Sequence, residues 1–354
     1  MDRFQIDSHK LMYHVSRVSS FASGESVYPI YVEISPSGSC NHRCVFCAYD
    51  FVGYKPRLID ADILIKRLSE MARLGVKSVL YSGEGEPLLH PEIGRIAASG
   101  ARAGIDSALA TNAVLFTMAR AVELLPHMTW IKVSINAGTS ATYERIHRAH
   151  PGDFAKVMEN MTYAVSLRKK KKYRCTLGMQ ILLLPENYHQ VRSLAVRAKA
   201  IGMDYLVVKP YSHHPLSITR KYRNIKYADY LECIDGLREL NDERFEVIAR
   251  LNTMKKWDEK SREYDCCYAL NFWAHIDSAG VVWGCPMHFN DKRFKYGSIY
   301  QDTFKNIWNG AAKRKLLSGR KSFSISGCRI NCRMDEINKF LWKLKNPPEH
   351  VNFV

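Results

Sequence analysis

The chain has 354 residues, enough for one large domain and a smaller one. Hydrophobic residues make up 46% of it and charged residues 25%, a balance typical of a globular protein. The formal net charge is +17, and residues 291–354 contain 14 Lys and Arg against 5 Asp and Glu. Such a field attracts anionic partners or is merely a solvated face, and charge does not choose between these. No apolar run approaches the roughly 18 residues that cross a bilayer, so a membrane-spanning protein is excluded.

Short β-rich runs alternate with helical patterns from about residue 30 to 209, the rhythm of βα units around a parallel sheet. Six strands are predicted: Ile30–Ser35, Lys77–Ser82, Ile105–Ala110, Trp130–Asn136, Thr176–Leu184 and Tyr205–Lys209. An amphipathic helix is predicted between the first two, starting behind Asp60 and closing at Gly75. After Lys209 the rhythm breaks, and a further helix-like stretch is predicted at Tyr227–Leu240.

The chain contains ten cysteines, and their use depends on the compartment. The sequence begins Met-Asp-Arg-Phe-Gln-Ile, without the charged-then-apolar pattern of a secretory signal, and this predicts a cytoplasmic protein. Disulfides are rare in the reducing cytoplasm, where patterned cysteines more often bind metal. We therefore expect metal sites rather than a disulfide framework.

Cys40, Cys44 and Cys47 form a C-x3-C-x2-C triplet after the first predicted strand. A structural zinc site takes four ligands and an ordinary four-iron cluster takes four cysteines, so three thiolates suggest a metal site with an open position. Ligands of parallel α/β sheets bind at the carboxyl ends of strands, where this loop lies. The alternatives are zinc with a distant fourth ligand such as His42, or three buried thiols.

With Phe46 just before its last cysteine, the triplet resembles the signature of the radical S-adenosylmethionine (radical SAM) enzymes. The resemblance implies that the three cysteines hold a 4Fe–4S cluster whose fourth iron chelates SAM, and it places Phe46 among the cofactor-binding residues. Reductive cleavage of SAM then yields a 5′-deoxyadenosyl radical. The resemblance also implies a partial (β/α)6 TIM-like barrel, which the six predicted strands fit.

The run Gly85, Glu86 and Pro87, at the end of the second predicted strand, looks like the family's Gly-Glu-Pro motif. The resemblance assigns the methionyl ammonium of SAM to these residues, with Glu86 as the acceptor. Glu84 departs from the more frequent Gly-Gly-Glu-Pro form, and its role is left open.

At the end of the fourth predicted strand, Lys132-Val-Ser-Ile-Asn136 resembles the family's ribose-contacting strand. Ser134 and Asn136 share one face by the strand period of two, and we expect both to contact SAM. Thr111 and Asn112 end the third strand in a similar place, although Asn is also an ordinary turn residue.

A second cysteine set lies toward the C-terminal end. Cys267 and Cys285 flank a predicted β-hairpin, and Cys328 and Cys332 are spaced by one helical turn, so the four make a four-thiolate site. A zinc site with four cysteine ligands is the alternative. The spacing Cys-x12-Gly-x4-Cys resembles the SPASM/twitch extensions of radical SAM enzymes, which implies one auxiliary 4Fe–4S cluster and leaves Cys266 as the spare.

The expected fold is therefore α/β. An N-terminal extension at 1–29 precedes the partial (β/α)6 barrel at 30–245, and a small α+β twitch/SPASM-like domain with a β-hairpin follows at 246–354. Peptide-modifying relatives often carry a longer leader-binding domain before the barrel, so the short extension favours a small-molecule substrate.

The resemblance implies hydrogen abstraction from a C–H bond, with oxidation through the auxiliary cluster. The positive charge favours an anionic substrate of sugar or aminocyclitol type, possibly nucleotide-linked, and an acidic electron donor such as flavodoxin or ferredoxin. A ribosomally made peptide or protein side chain is the alternative substrate. A zinc-stabilised RNA-binding protein is the alternative of another class, and it predicts a colourless protein with salt-dependent RNA affinity. We place nucleic acid below a small molecule as the partner, and the sequence identifies no catalytic acid or base.

Overall fold

The computed structural model describes residues 2–318 and 323–353. Ten strands are present in the described residues: β1 (Tyr31–Ile34), β2 (Ser78–Tyr81), β3 (Asp106–Thr111), β4 (Trp130–Ser134), β5 (Thr176–Leu183), β6 (Tyr205–Pro210), β7 (Glu246–Ala249), β8 (Trp273–Ile276), β9 (Val281–Trp283) and β10 (Lys295–Ser298). They form one continuous sheet in the order β10-β9-β8-β1-β2-β3-β4-β5-β6-β7.

The strands β1 to β7 pair in parallel and in chain order, as in a partial barrel. All six predicted strands are confirmed, and so is the α/β fold class. The strand β7 was not predicted, because four residues that begin with Glu246 and end with Ala249 carry no clear apolar pattern. The domain boundary placed near residue 245 falls directly before β7, and the division of the chain into domains stays a prediction.

Helices alternate with the parallel strands, as the βα rhythm predicts. The helices of the described residues are α1 (Val15–Ala22), α2 (Ala61–Arg73), α3 (Ile93–Arg102), α4 (Met118–Leu124), α5 (Ser140–His147), α6 (Asp153–Lys171), α7 (Val191–Ile201), α8 (Leu251–Glu259), α9 (Phe304–Trp308), α10 (Ala311–Leu317) and α11 (Asp335–Lys345). The predicted helix is α2: the Asp60 side chain caps it by accepting from the Ile63 amide at 2.8 Å. In the described part of the chain, none of the helices has the length and apolar character of a membrane span.

The helix-like stretch predicted at Tyr227–Leu240 folds differently. It forms two 3-10 helices, Tyr227–Cys233 and Leu237–Leu240, rather than one longer helix. Gly236 lies between them with φ +71°, a conformation outside the helical region, so the helix cannot continue through it. Tyr227 and Leu237 are nonetheless buried, which accounts for the helix-like apolar spacing.

The predicted β-hairpin consists of β8 and β9, which pair antiparallel. Its turn runs from Asp277 to Gly280, where the Gly280 amide donates to the Asp277 carbonyl at 2.9 Å and φ is +71°. The hairpin does not stand apart from the barrel, because β8 also pairs in parallel with β1. Strand β10 then adds to the outer edge of β9.

The N-terminal segment lies against the interior of the barrel. Phe4 and Ile6 pack against Tyr205, Val207 and Ile248, which belong to β6 and β7. The same segment lines the barrel's interior cavity, so it helps to enclose that space.

Candidate active site

The cysteine triplet lies in the loop that follows β1. Burial raises the pKa of Cys40 to about 12, and the charges of Glu86 and Cys47 act in the same direction. Burial also raises the pKa of Cys44, followed by the charges of Cys47 and Cys40. The three thiols therefore share one electrostatic environment in this loop. Thiols that repel one another as anions form a donor set that a bound cationic group stabilises.

Two histidines stand behind the triplet. His147 Nδ1 lies 3.3 Å from Cys44 Sγ, and its Nε2 lies 3.0 Å from the carbonyl oxygen of Ile135. Burial lowers the pKa of His147 to about 3, so the neutral ring donates to that carbonyl through Nε2. His42 pairs with Asp153 at 3.3 Å. Potential ligand atoms of His42, Cys44 and His147 lie within 4.8 Å of one another, which gives a second arrangement for a metal ion.

Phe46 is buried and packs edge-on against His147, with ring centroids 5.1 Å apart. It therefore lies in the core behind the cysteine loop. Cys44 belongs both to the triplet and to the set with histidines, so the two arrangements exclude each other. Three thiolates from one loop are the protein ligands of a 4Fe–4S cluster with an open iron position, and the donor chemistry of the triplet fits that group.

The Gly-Glu-Pro loop touches the cysteine loop through its backbone. The Glu86 amide donates to the Ser39 carbonyl at 2.8 Å. At Gly85, an added Cβ would stand 2.1 Å from that same oxygen and 2.6 Å from the carbonyl oxygen of Ser37, so only glycine permits this approach. Pro87 opens a short 3-10 helix directly afterwards. The two loops are thereby fixed relative to each other.

The Glu86 carboxylate is buried and accepts three hydrogen bonds. The donors are the Thr111 hydroxyl at 2.6 Å, the Asn112 amide at 2.8 Å and the Leu88 amide at 3.1 Å. Burial raises the pKa of Glu86 even though these bonds lower it. A carboxylate has about four acceptor positions, so one remains for a further donor such as an ammonium. Thr111 and Asn112 thus act on Glu86, at the neighbouring strand end where the sequence placed them.

Glu84 links the Gly-Glu-Pro loop to the hairpin. Its Oε2 accepts from the Ser278 amide at 2.9 Å, and its Oε1 lies 3.7 Å from Arg57 Nη2. Ser278 belongs to the hairpin turn, so the residue that departs from the family pattern joins the Gly-Glu-Pro loop to the C-terminal half of the chain.

The pair predicted on β4 is divided by the end of the strand. Ser134 is the last residue of β4 and lines the interior cavity. Asn136 lies beyond the strand with φ +50°, and it is fully buried. Its Oδ1 accepts from the Leu182 amide at 2.8 Å, which ties β4 to β5. The strand period no longer applies at Asn136, and of the pair it is Ser134 that faces the cavity.

The second cysteine set comes together from three segments of the chain. Burial raises the pKa of Cys267 to about 12, and the charge of Cys332 adds to this. Burial, Cys332 and Cys267 likewise raise the pKa of Cys285, and burial and Cys332 raise that of Cys328 to about 11. Cys328 and Cys332 lie in a segment of turns and not on a helix, since α11 begins only at Asp335. Four neighbouring thiols fit a four-thiolate cluster.

Hydrogen-bond donors surround these sulfurs. Asn338 Nδ2 donates to Cys267 Sγ at 3.4 Å, and the Met334 amide donates to Cys332 Sγ at 3.4 Å. His288 Nε2 lies 3.6 Å from Cys328 Sγ. Donors of this kind stabilise thiolate ligands and tune a bound metal. Cys267 packs in the same cluster of side chains as Cys285, beside Trp273.

A cavity of about 710 Å³ occupies the interior of the barrel. Six cationic side chains line it: Lys10, Lys132, Lys209, Arg250, Arg329 and Arg333. Two of them have carboxylate partners, because Arg333 pairs with Glu33 on β1 and Arg250 pairs with Asp7 at 3.2 Å. The cavity is therefore strongly cationic.

No sequence motif identified these cations. A lysine within an otherwise apolar strand was the available signal for Lys132 and Lys209, because lysine is almost never buried without a reason. Arg250 follows the strand that was not predicted. Arg329 and Arg333 lie among turns, where no periodicity indicates the direction of a side chain.

Two family models match the chain. One, described as the radical SAM superfamily, matches residues 34–198, which include the triplet. The other, SPASM, described as an iron-sulfur cluster-binding domain, matches residues 266–333, which include the second cysteine set.

Among curated proteins, the chain is 31% identical over 302 residues to the AdoMet-dependent heme synthase of Methanosarcina barkeri (strain Fusaro), covering 79% of this chain and 82% of that one. It is 28% identical over 261 residues to the dTDP-4-amino-4,6-dideoxy-D-glucose ammonia-lyase of Streptomyces venezuelae. That match covers 69% of this chain but only 50% of the ammonia-lyase, so the chain spans half the length of that relative.

Among solved structures, Streptococcus suis SuiB bound to the precursor peptide SuiA is similar with a TM-score of 0.65 and 18% identity. The superposition covers 88% of this chain and 70% of SuiB. At this identity the likeness concerns the fold.

Proposed function

Because the chain belongs to the radical SAM superfamily and carries a C-terminal SPASM domain, we propose that it abstracts hydrogen from a C–H bond of an anionic small molecule. Superfamily members bind SAM and a 4Fe–4S cluster, and SPASM domains bind auxiliary iron–sulfur clusters. When bound and reduced, the first cluster and SAM supply a 5′-deoxyadenosyl radical. We favour a substrate of sugar or aminocyclitol type, possibly nucleotide-linked.

The chain's own residues hold the cluster and SAM and enclose the substrate. Cys40, Cys44 and Cys47 hold the cluster, in preference to the arrangement with histidines. Glu86, with one acceptor position left, receives the methionyl ammonium of SAM, and Gly85 keeps its loop against the cysteine loop. The barrel encloses the substrate and excludes water, which protects a reactive species from side reactions.

The cationic cavity is the observation that carries the substrate class. Its volume of about 710 Å³ lies within the range of roughly 300–1,000 Å³ usual for small-molecule sites. Six cations line it and only two of them are paired with carboxylates, so an anion is attracted there more than a neutral ligand. Ser134 also lines this cavity, and we expect its hydroxyl to contact SAM.

The names of the relatives agree with an anionic or nucleotide-linked substrate without selecting one. The Streptomyces protein is named for a dTDP-linked amino sugar and the Methanosarcina protein for heme synthesis. A ribosomally made peptide stays the second candidate. The RNA-binding interpretation is set aside, because the chain belongs to a superfamily of SAM-dependent enzymes.

The second cysteine set would hold one auxiliary 4Fe–4S cluster, and we expect net oxidation of the substrate, which makes the enzyme oxidoreductase-like. An acidic flavodoxin or ferredoxin is the electron donor that the basic charge favours. The cytoplasm is our predicted location, since both sites need reduced thiols.

The test is anaerobic reconstitution followed by incubation with SAM and dithionite. The wild-type protein is expected to bind about eight irons if both clusters are 4Fe–4S, and to form 5′-deoxyadenosine. Cys44→Ala should abolish that product. Cys175→Ala is the matched control, because Cys175 is buried directly before β5, outside both cysteine sets.

Absence of 5′-deoxyadenosine from fully reconstituted wild-type protein would refute the proposal. With activity established, deuterated candidate substrates identify the reacting carbon, since deuterium appears in 5′-deoxyadenosine only when the correct C–H bond is labelled. A labelled peptide that transfers deuterium, where anionic sugars do not, would establish the second candidate.

A further inference from the structure

In the described part of the chain, four of the six cavity cations lack a carboxylate partner: the exposed Lys10, and Lys132, Lys209 and Arg329. Within the described residues, Lys132 and Lys209 form neither a hydrogen bond nor an ion pair, although Lys132 Nζ lies 5.6 Å from the centroid of the Trp130 ring. Arg329 donates from Nη1 to the Ser212 hydroxyl at 3.1 Å, while its buried Nε has no partner. The cavity thus has more cationic groups than carboxylates to pair with them.

These charges are unfavourable without a counterion. Burial lowers the pKa of Lys132 to about 8, with Arg333 and Arg250 adding to the shift and Glu33 opposing it. The pKa of Lys209 is also lowered well below its ordinary value, by burial and then by the neighbouring cations. A partly desolvated cation without a partner is unfavourable unless an anion compensates it. An anion in the cavity would remove this cost.

The segment around Cys328 and Cys332 supplies part of the cationic surface. Residues 329, 331 and 333 of this segment point toward the barrel: Arg329 and Arg333 line the cavity beside Asn331. Asn331 Nδ2 donates to the Tyr211 carbonyl at 2.6 Å, so the segment is fastened to the end of β6. The loop that carries two auxiliary cysteines is therefore also a wall of the substrate cavity.

We propose that Lys132, Lys209 and Arg329 together bind a phosphate or diphosphate group of the substrate, a proposal that rests on the anionic substrate proposed above. A phosphate ester carries up to two negative charges on closely spaced oxygens, which matches several cations around one cavity. The planar fork of Arg329 suits two oxygens of one phosphate, and lysine ammoniums act as point charges beside it.

Polar groups elsewhere on the cavity wall fit the remainder of such a substrate. Ser134 and Gln180 face the cavity from β4 and β5. Ser134 is expected to contact SAM, and the Gln180 amide can meet the hydroxyls of a sugar. The cavity thus has a cationic part for the phosphate and an uncharged polar part.

The experiment uses the anaerobically reconstituted full chain and isothermal titration with inorganic pyrophosphate, with citrate as a carboxylate of comparable charge. Wild-type protein is expected to bind pyrophosphate more tightly than citrate. Lys209→Met and Arg329→Met should each weaken pyrophosphate binding about tenfold or more, the loss of one charged hydrogen bond. Arg329→Lys, which keeps the charge, should lose less.

Lys313→Met is the matched control. Lys313 is a buried lysine whose pKa burial also lowers to about 8, but it lies over the Trp308 ring and outside the barrel cavity. Its substitution should leave pyrophosphate affinity within about twofold of wild type, because Lys313 lines a different pocket from the barrel cavity. Equal losses in Lys313→Met and Lys209→Met would overturn the assignment.

Two further outcomes overturn it: citrate binding as tightly as pyrophosphate, or no loss of affinity in the cavity variants with unchanged iron content. Failure of the proposed function is separate. It appears as absent 5′-deoxyadenosine in wild-type protein, whether or not pyrophosphate binds.

Discussion

The contact between the cysteine loop and the Gly-Glu-Pro loop makes Gly85→Ala an informative substitution. The added Cβ would lie 2.1 Å from the Ser39 carbonyl oxygen, whereas real Cβ contacts essentially never fall under 3.0 Å. The two loops must therefore separate by about 0.9 Å, the difference between these two distances. A misplacement of about 1 Å can cost roughly a hundredfold in rate. We expect 5′-deoxyadenosine formation to fall by about that factor, with a raised KM for SAM.

The assay follows 5′-deoxyadenosine by chromatography at several SAM concentrations, with iron measured on the same samples. Iron content should stay near the wild-type value, because the new methyl group meets carbonyls that precede Cys40 rather than the thiols. Gly327→Ala is the control, since nothing lies within 4 Å of its added Cβ. A Gly85→Ala protein with wild-type kinetics would refute the argument that these two loops form the SAM site by close approach.

Three other predictions follow from the described contacts. Glu84→Ala removes the acceptor of the Ser278 amide and should cost about 1–3 kcal/mol of stability, seen as a lower anaerobic melting temperature that Glu84→Gln largely restores. Wild-type protein should bind pyrophosphate more tightly than Lys132→Met below about pH 8, and this advantage should shrink as the pH rises through about 8. The reason is that the Lys132 ammonium is present below its pKa and loses its charge above it. An advantage that does not change with pH would contradict this. The double variant Cys328→Ala, Cys332→Ala should lose about four irons by analysis, and it should also weaken pyrophosphate binding, because the loop between them carries a cavity arginine.

The sequence predicted the parallel strands well because each is an apolar run bounded by polar turns. It also indicated the two cysteine sets, since fixed cysteine spacing is a chemical pattern independent of backbone detail. The strand β7 was not predicted because its four residues are too few to show a clear pattern. Two 3-10 helices replaced the expected helix at Tyr227–Leu240 because Gly236 adopts a positive φ, which apolar spacing alone does not reveal.

The cysteine ligands of the candidate site could be predicted from the sequence, but most residues that line its cavity could not. Asn136 was expected to share the orientation of Ser134, yet β4 ends between them and the alternation stops. Arg329 and Arg333 come from a segment of turns whose direction is set by a tertiary contact of Asn331. Such contacts join residues more than a hundred positions apart, and no local pattern encodes them.

The pairing of β1 with β8 has a consequence for the order in which the chain folds during synthesis. Tyr31 lies opposite Trp273 in the register, so one edge of β1 stays unpaired until β8, some 240 residues later, has been synthesised. At roughly 5–20 residues per second, the ribosome needs about 10–50 seconds to deliver it. An unpaired strand edge attracts other chains. The nascent protein therefore carries its cysteine loop beside an open, aggregation-prone edge, and a chain that stops before β8 should accumulate as insoluble material.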